Sequence, residues 1–265
     1  MKQIDSLQNP WLKKVLRWLQ KPAERRKEGV VLVEGIREVQ RAIASGWALE
    51  QLSFSANHWT DAERHRLFPE VQENQWISVG AAVWSKMVVR ENVPNVLGLF
   101  ASPDASISTL AVPLKGLVLV VSGVEKPGNI GALFRTADAV GVDAVLLVDG
   151  PVDALHPQAI RNSLGGIFST PWAVCTFEEA RQWLSIHRFQ AVLGHLEASQ
   201  SPFEADLSGP VAIVVGPEDT GLSDQWYTLE GFAVKIPMNG LVDSLNVSVS
   251  AAVLLYEAYR QKKPL

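Results

Sequence analysis

The 265-residue sequence is poor in features on which several common classes of protein depend. It has a single cysteine, Cys175, so an internal disulfide is impossible and a reducing cytoplasm is the expected location. It contains no run of about 18 apolar residues, the length that predicts a membrane-spanning helix. Its N-terminus is charged and lacks the apolar core of a secretory signal. We therefore expect a cytoplasmic protein that does not bind a membrane.

Motifs of several catalytic and cofactor-binding classes are also missing. No G-x-G-x-x-G follows a predicted strand, no G-x-x-x-x-G-K-[ST] is present, and no G-x-S-x-G marks a nucleophilic serine. The five histidines lack zincin spacing, and one cysteine cannot form a zinc knuckle, so we expect no metal. Cys175 lies in the apolar run WAVCTF, which favours a buried structural thiol over a nucleophile.

Charge is distributed unevenly along the chain. The net charge of −4 argues against a uniformly basic nucleic-acid-binding protein, but residues 1–41 contain 10 Lys and Arg against 5 Asp and Glu. Within them, residues 9–22 (NPWLKKVLRWLQKP) predict an amphipathic helix. Its polar face carries Lys13, Lys14, Arg17 and Lys21. These basic residues either contact nucleic-acid phosphates or form an ordinary solvated face.

The second part of the chain alternates apolar strands with helices. The strand candidates are residues 116–123, 143–150, 171–177, 190–196, 211–216 and 232–237. The helix candidates are residues 129–140, 156–168, 178–187, 223–229 and 245–261. Continuous apolar strands between helices predict an α/β fold with a parallel sheet covered on both faces.

The first part of the chain repeats this pattern on a smaller scale. Strands are predicted at residues 30–35, 49–55 and 96–102, with a helix at 36–45. Residues 102–116 are rich in Ser, Pro and Ala and are the best linker candidate. We therefore expect a smaller first domain over residues 1–105, a linker at 106–115 and a second domain over 116–265.

Three predicted strand-to-helix junctions carry polar residues. In the first, residues 122–141, we expect Asn129 to cap the helix. Arg135, further along the same helix, costs free energy among apolar residues unless it is paired. It is therefore either one half of a salt bridge between domains or a contact for an anion or a ribose.

The second and third junctions place polar side chains at comparable positions. Residues 214–226 hold Glu218 between Gly216 and Gly221, and residues 235–250 open a helix near Ser244 and Asn246. Ligands of α/β sheets bind beyond the carboxyl ends of the strands, where all three junctions are expected. The predicted pocket has apolar walls, many backbone N–H and C=O groups and a few polar side chains, which suit a neutral purine and a zwitterionic amino acid better than a polyphosphate.

The three junctions resemble the signature motifs of the SpoU/TrmH family of RNA ribose methyltransferases. Residues 129–141 (NIGALFRTADAVG) resemble the first motif, 214–223 (VVGPEDTGLS) the second and 236–257 (IPMNGLVDSLNVSVSAAVLLYE) the third. Residues 161–171 (RNSLGGIFSTP) resemble a further family segment, and residues 30–46 resemble the pattern of the family's RNA-recognition domain. Four ordered similarities over residues 116–260 make chance agreement very unlikely.

The resemblance implies more than the residues alone do. It implies a C-terminal α/β domain with a mostly parallel sheet and a trefoil knot, which works as a homodimer and binds S-adenosylmethionine as the methyl donor. It also implies a smaller N-terminal α/β domain similar to ribosomal proteins that bind kinked RNA. The expected activity is methyl transfer to a ribose 2′-hydroxyl, and the extra N-terminal domain favours ribosomal RNA as the substrate.

The same resemblance carries family roles over to individual positions. The expected methyl-donor contacts are Val215, Gly216, Ile236, Met238, Leu245 and Val247. The expected catalytic positions are Asn129, Arg135, Glu218, Ser244 and Asn246. The expected RNA contacts are Lys13, Lys14, Arg17, Arg37 and Arg161.

Three other functions stay open at this point. The chain could methylate the ribose of transfer RNA, methylate a base as members of the wider knotted superfamily do, or bind RNA without catalysis. A binding protein is expected to lose Arg135, Asn129 or Asn246, and all three residues are present. This argues for an enzyme.

Overall fold

A computed structural model describes residues 1–88, 96–150 and 153–262 of the chain. The chain divides into two compact units. Unit 1 comprises Met1–Pro103 and Leu155–Phe168, and unit 2 comprises Asp104–Ala154 and Ser169–Leu265. The sequence placed residues 116–265 in one domain, whereas Leu155–Phe168 groups with unit 1.

The described part of the chain contains both strands and helices, which alternate over most of its length. In chain order they are β1 (Lys2–Ile4), α1 (Pro10–Gln20), α2 (Pro22–Glu28), β2 (Val30–Glu34), α3 (Ile36–Ala44), β3 (Leu49–Ser55), α4 (Asp61–Leu67), β4 (Trp76–Val79), α5 (Ala81–Met87), β5 (Val96–Ala101), β6 (Leu117–Ser122), α6 (Pro127–Val140), β7 (Ala144–Val148), α7 (Pro157–Ser163), α8 (Gly166–Ser169), β8 (Trp172–Cys175), α9 (Phe177–Ile186), β9 (Gln190–Gly194), β10 (Val211–Val215), β11 (Gly231–Val234) and α10 (Val247–Lys262).

Unit 1 contains a mixed five-stranded sheet in the order β1-β4-β3-β5-β2. β1, β4 and β3 run parallel, while β5 lies antiparallel to both β3 and β2. The buried face of α1, with Leu12, Val15 and Trp18, packs into the core of this unit, while Lys13 and Lys14 are exposed. The predicted amphipathic helix therefore has the expected apolar and basic faces.

Five short elements of unit 1 were not expected from the sequence: β1, α2, α4, β4 and α5. The segment that forms α4 shows no apolar periodicity because its buried position is occupied by Arg64. The guanidinium of Arg64 lies 4.9 Å from the ring centroids of both Phe54 and Trp76, and it pairs with Asp61. A capping box formed by Thr60 and Glu63 marks the start of this helix.

Unit 2 contains a six-stranded sheet in the order β11-β9-β10-β6-β7-β8, in which neighbouring strands pair in parallel. All residues of β6, β7 and β10 are buried, as expected for strands covered on both faces. α6 begins at Pro127, whose missing backbone N–H costs no helical hydrogen bond at this position. It ends at Val140 and is capped by Gly141 in the left-handed conformation. The predicted parallel α/β sheet is confirmed.

Some predicted boundaries differ from those in the structure. The predicted helix 156–168 is broken into α7 and α8 because Leu164 (φ 50°) and Gly165 (φ 92°) adopt left-handed conformations. The predicted helix 223–229 is a single 3-10 turn, Asp224–Thr228. The last predicted strand stops at Val234, after which the N–H of Lys235 donates to the carbonyl of Gln200.

The predicted linker is a packed part of unit 2. Residues Ile107–Thr109 form a 3-10 turn, and Ile107, Leu110 and Val112 pack against the core of the second sheet. The N–H of Val174 on the edge strand β8 donates to the carbonyl of Ala105. This stretch therefore covers part of that core.

Candidate active site

A cavity of about 380 Å³ lies in unit 2 at the carboxyl ends of β9, β10 and β11. Its walls include all six residues expected to contact the methyl donor: Val215, Gly216, Ile236, Met238, Leu245 and Val247. Glu218 and Ser244, two of the expected catalytic residues, also line it. The second and third polar junctions therefore meet at one cavity, as the strand-end argument predicted.

Gly216 allows the chain to turn sharply after β10. A Cβ atom at this position would lie 2.8 Å from the carbonyl oxygen of Gly221, closer than real Cβ contacts. Gly221 itself has a φ of 66°. The two glycines hold residues 217–220 in a tight loop, and this loop presents Glu218 to the start of α10.

The carboxylate of Glu218 joins all three junctions. Its Oε1 accepts hydrogen bonds from Asn129 Nδ2 at 3.2 Å, from Asn246 Nδ2 at 2.6 Å and from the backbone N–H of Val247 at 3.2 Å. Its Oε2 lies 4.0 Å from the ammonium of Lys126. Because Val247 is the first residue of α10, the carboxylate also complements the positive end of that helix.

Asn246 is held at both ends of its amide. Its Oδ1 accepts from the N–H of Ser248 at 3.0 Å and from the hydroxyl of Ser248 at 2.6 Å, which is the geometry of a helix cap. Its Nδ2 donates to Glu218 and, at 3.2 Å, to Asn129 Oδ1. Ser244 hydrogen-bonds Asp243 at 3.3 Å. Asn246 is thus a cap and a member of the polar cluster at once.

Asn129 does not cap α6, contrary to the prediction. α6 begins two residues earlier, at Pro127, and its cap position, Lys126, makes no side-chain cap hydrogen bond. Asn129 therefore lies in the first turn of the helix, where its amide is free to meet Glu218 and Asn246. The side chain links the first junction to the other two.

Arg135 is exposed on α6. Among the residues that the structure describes, no carboxylate forms an ion pair with it. Because the guanidinium of Arg135 is exposed, the predicted cost of burying its charge does not arise. No salt bridge to a described residue neutralises that charge. The guanidinium is available to an anion that the chain itself does not supply.

Arg161, an arginine of unit 1 that also lies in a motif segment, forms an ion pair with Glu34. Its Nη2 donates to Glu34 Oε2 at 2.8 Å, and the two side chains are 25% and 11% exposed. Of the basic residues on α1, Lys14 lies 2.5 Å from Glu28 and Arg17 lies 3.8 Å from Glu24. Lys13 and Arg37 are exposed, and neither forms an ion pair with a described residue.

Three cavity residues with ionisable side chains were not singled out from the sequence: His195, Glu197 and Asp219. His195 Nδ1 accepts the backbone N–H of Glu197 at 3.2 Å, and its ring meets that of Tyr227 edge-on at 5.4 Å between centroids. His195 directly follows β9, so applying the strand-end argument to every strand would have found it.

The described residues offer neither a reactive thiol nor a metal site. Cys175 is buried, and burial raises the pKa of its thiol to about 12, which keeps it protonated and unreactive. Among the described residues, no group of three or more His, Cys, Asp and Glu side chains could hold a metal ion. No helix in the described part of the chain is long and apolar enough to span a membrane.

Comparison with known proteins gives two family matches and full-length relatives. Residues 116–256 match the SpoU rRNA Methylase family, and residues 9–98 match the MRM3-like substrate binding domain. The chain is 28% identical to the 23S rRNA (uridine(2479)-2'-O)-methyltransferase of Streptomyces viridochromogenes, covering 90% of this chain and 85% of that protein. It is 28% identical to the 23S rRNA (guanosine(2553)-2'-O)-methyltransferase RlmP of Bacillus subtilis, covering 97% and 98%.

Solved structures are similar over the same length. The SpoU methyltransferase AviRb from Streptomyces viridochromogenes, in complex with the cofactor AdoMet, superposes with a TM-score of 0.88. That comparison covers 96% of this chain and 98% of the other at 26% identity.

Proposed function

Because this chain belongs to the SpoU rRNA Methylase family, we propose that it transfers a methyl group from S-adenosylmethionine to a ribose 2′-hydroxyl of ribosomal RNA. The observation that carries this proposal is the meeting of Asn129, Glu218 and Asn246 in one hydrogen-bonded cluster beside the cavity. These residues come from three separate segments of the chain, and a shared reaction explains why all three carry polar groups to one place.

The cavity has the chemistry that the methyl donor requires. Ile236, Met238 and Leu245 supply apolar surface for the adenine and the methionine side chain, and Gly216 leaves backbone groups open to polar atoms. When bound, S-adenosylmethionine supplies an electrophilic methyl group on a sulfonium. The ordered Glu218 cluster fixes the start of α10, and with it the position of Leu245 and Val247 in the wall.

The chain's own catalytic task is to make a poor nucleophile attack. The 2′-hydroxyl oxygen would form the new bond to the methyl carbon while the bond from that carbon to sulfur breaks. The bonding electron pair would stay on sulfur, and the hydroxyl proton would pass to water. Arginine is a poor general base because its guanidinium stays protonated in proteins. We therefore assign Arg135 to stabilising the developing alkoxide together with a substrate phosphate, and assign most of the acceleration to positioning.

Unit 1 is proposed to bind the RNA substrate. The match of residues 9–98 to a substrate binding domain supports this role, as does the excess of basic residues in 1–41. Lys13, Lys14, Arg17, Arg37 and Arg161 are the proposed RNA contacts. Lys13 and Arg37 can meet phosphates directly, whereas Lys14, Arg17 and Arg161 must first leave a carboxylate.

The knot, the dimer and the location are further parts of the proposal. The family resemblance supports a trefoil knot in the second domain and a homodimer formed through it. A cytoplasmic location follows from the proposed ribosomal substrate and agrees with the presence of a single cysteine.

The test is methylation of separated RNA classes. The protein is incubated with labelled methyl donor and purified ribosomal or transfer RNA, and the modified nucleotide is mapped and digested to establish which atom carries the methyl group. We expect label on one ribose of ribosomal RNA. Label on transfer RNA supports the alternative substrate, label on a base contradicts ribose chemistry, and label on neither RNA favours a binding protein.

A further inference from the structure

The lining of the cavity at the carboxyl ends of β9, β10 and β11 includes three acidic side chains. Glu197, Glu218 and Asp219 all contribute to its walls, and none of the described residues that line it is Lys or Arg. An occupant therefore meets a wall whose formal charge is negative. Such a wall attracts a cation and gives no corresponding advantage to a neutral molecule.

The three carboxylates are compensated to different degrees. Glu218 accepts three hydrogen bonds and lies 4.0 Å from Lys126. Asp219 Oδ1 accepts the N–H of Thr220 at 3.1 Å. The carboxylate of Glu197 has no hydrogen-bond or ion-pair partner in the described part of the chain, and the residue is exposed. Glu197 is therefore the least compensated negative charge of the wall.

His195 does not neutralise this charge. Its Nδ1 accepts the backbone N–H of Glu197, and its ring forms no ion pair with the Glu197 carboxylate in the described part of the chain. The same hydrogen bond holds the turn His195-Leu196-Glu197, and the edge-on contact with Tyr227 holds the ring. The backbone that carries the Glu197 carboxylate is thus fixed at the wall of the cavity.

We propose that Glu197 makes the cavity prefer the cationic methyl donor over the neutral thioether that remains after transfer. This inference rests on the proposed function, because it assumes that S-adenosylmethionine occupies the cavity. The two molecules share their adenosine and amino-acid parts and differ by one methyl group and one positive charge on sulfur. A carboxylate in the wall therefore favours the substrate, and the loss of charge on transfer weakens the hold on the product.

The test is calorimetric binding of both ligands to the full chain and to Glu197→Gln. We expect Glu197→Gln to weaken the methyl donor about three- to fivefold, the range of an exposed charge pair, and to leave the thioether product within error of wild type. Glu197→Lys should widen the loss for the methyl donor further. The difference between the ligands should shrink with rising salt. Glu230→Gln is the matched control, since Glu230 is exposed and directly precedes β11, at the amino end of that strand, whereas the cavity lies at its carboxyl end.

Each other outcome has a definite meaning. An equal loss for both ligands means that Glu197 contacts a group they share, which overturns charge selection. Unchanged binding of the methyl donor in Glu197→Lys also overturns it. If the wild-type chain binds neither ligand, the proposed function itself is contradicted, and the inference with it.

Discussion

The two motif arginines of this chain lie in opposite electrostatic situations. Arg135, on α6 of unit 2, is exposed and forms no ion pair with a described residue. Arg161, on α7 in unit 1, is three-quarters buried against Glu34. Arg135 was expected among the catalytic positions and Arg161 among the RNA contacts, and the sequence does not reveal which of them is paired with a carboxylate. The comparison shows that the availability of a motif arginine depends on the carboxylates around it as well as on its own charge.

The partner of Arg161 has a further consequence for stability. Glu34 Oε1 is buried and has no hydrogen-bond partner among the described residues, so the carboxylate depends on the guanidinium at Oε2. Removing Arg161 leaves that charge buried and unpaired, whereas removing Arg135 leaves nothing unpaired. Substitutions at the two positions should therefore be separable, with one affecting catalysis and the other affecting folding.

The largest expected effect is on catalysis, in Arg135→Ala. We expect the single-turnover rate of methyl transfer to fall about 10³-fold, the loss typical of removing one group that stabilises a developing negative charge. The dissociation constant of the methyl donor should stay within about twofold, because Arg135 does not line the cavity. Rates are measured with saturating RNA, and donor binding is measured by calorimetry.

Arg181→Ala serves as the control for this substitution. Arg181 is an exposed arginine of α9 in the same unit, and among the described residues its ion-pair partner is Glu178 on the same helix, so its removal should leave the rate unchanged. Full activity in Arg135→Ala would remove Arg135 from the mechanism. A loss of donor binding equal to the loss of rate would make it a structural residue.

Much of the second sheet is predictable from sequence because its strands are continuous apolar runs bounded by glycine. β6, β7 and β10 are fully buried, so periodicity and burial agree. In unit 1 the short elements obey no such rule. In α4 the buried residue is Arg64, which contacts the rings of Phe54 and Trp76. A charged residue at the buried position removes the apolar periodicity by which a helix is predicted.

Some features of the candidate site can likewise be predicted from the sequence, and others cannot. The meeting of the second and third junctions follows from the rule that ligands bind at the carboxyl ends of parallel strands. The pairing of Arg161 with Glu34 does not follow, since the two residues are 127 positions apart and no periodicity links them. The prediction that Asn129 caps α6 was wrong, because the helix begins two residues earlier, at Pro127.

The second prediction concerns stability and uses Arg161→Ala. We expect the free energy of unfolding to fall by about 2 kcal/mol, because Glu34 keeps a charge that nothing compensates. The loss is smaller than for a fully buried pair because both side chains are partly exposed. Urea unfolding measures the change. The double variant Glu34→Gln with Arg161→Gln should recover most of the loss, since it removes both charges together.

Arg181→Ala again provides the comparison, because its pair with Glu178 is exposed and should contribute nothing measurable. If Arg161→Ala unfolds at the same urea concentration as wild type, the pair is not structural. Arg161 would then be as available to RNA as Arg135, and the contrast between the two arginines would disappear.

The smallest expected effect extends the contrast to unit 1 alone, by comparing Arg37→Ala with Lys14→Ala. Arg37 is exposed without an ion pair to a described residue, whereas Lys14 lies 2.5 Å from Glu28. We expect Arg37→Ala to weaken RNA binding a fewfold and to lower the slope of log affinity against log salt by about 1, the value for one phosphate contact. Lys14→Ala should change both quantities less, because its charge is already matched by a carboxylate. Filter binding at several salt concentrations measures both, and equal slopes in the two variants would show that pairing with a carboxylate does not decide which basic residues reach the RNA.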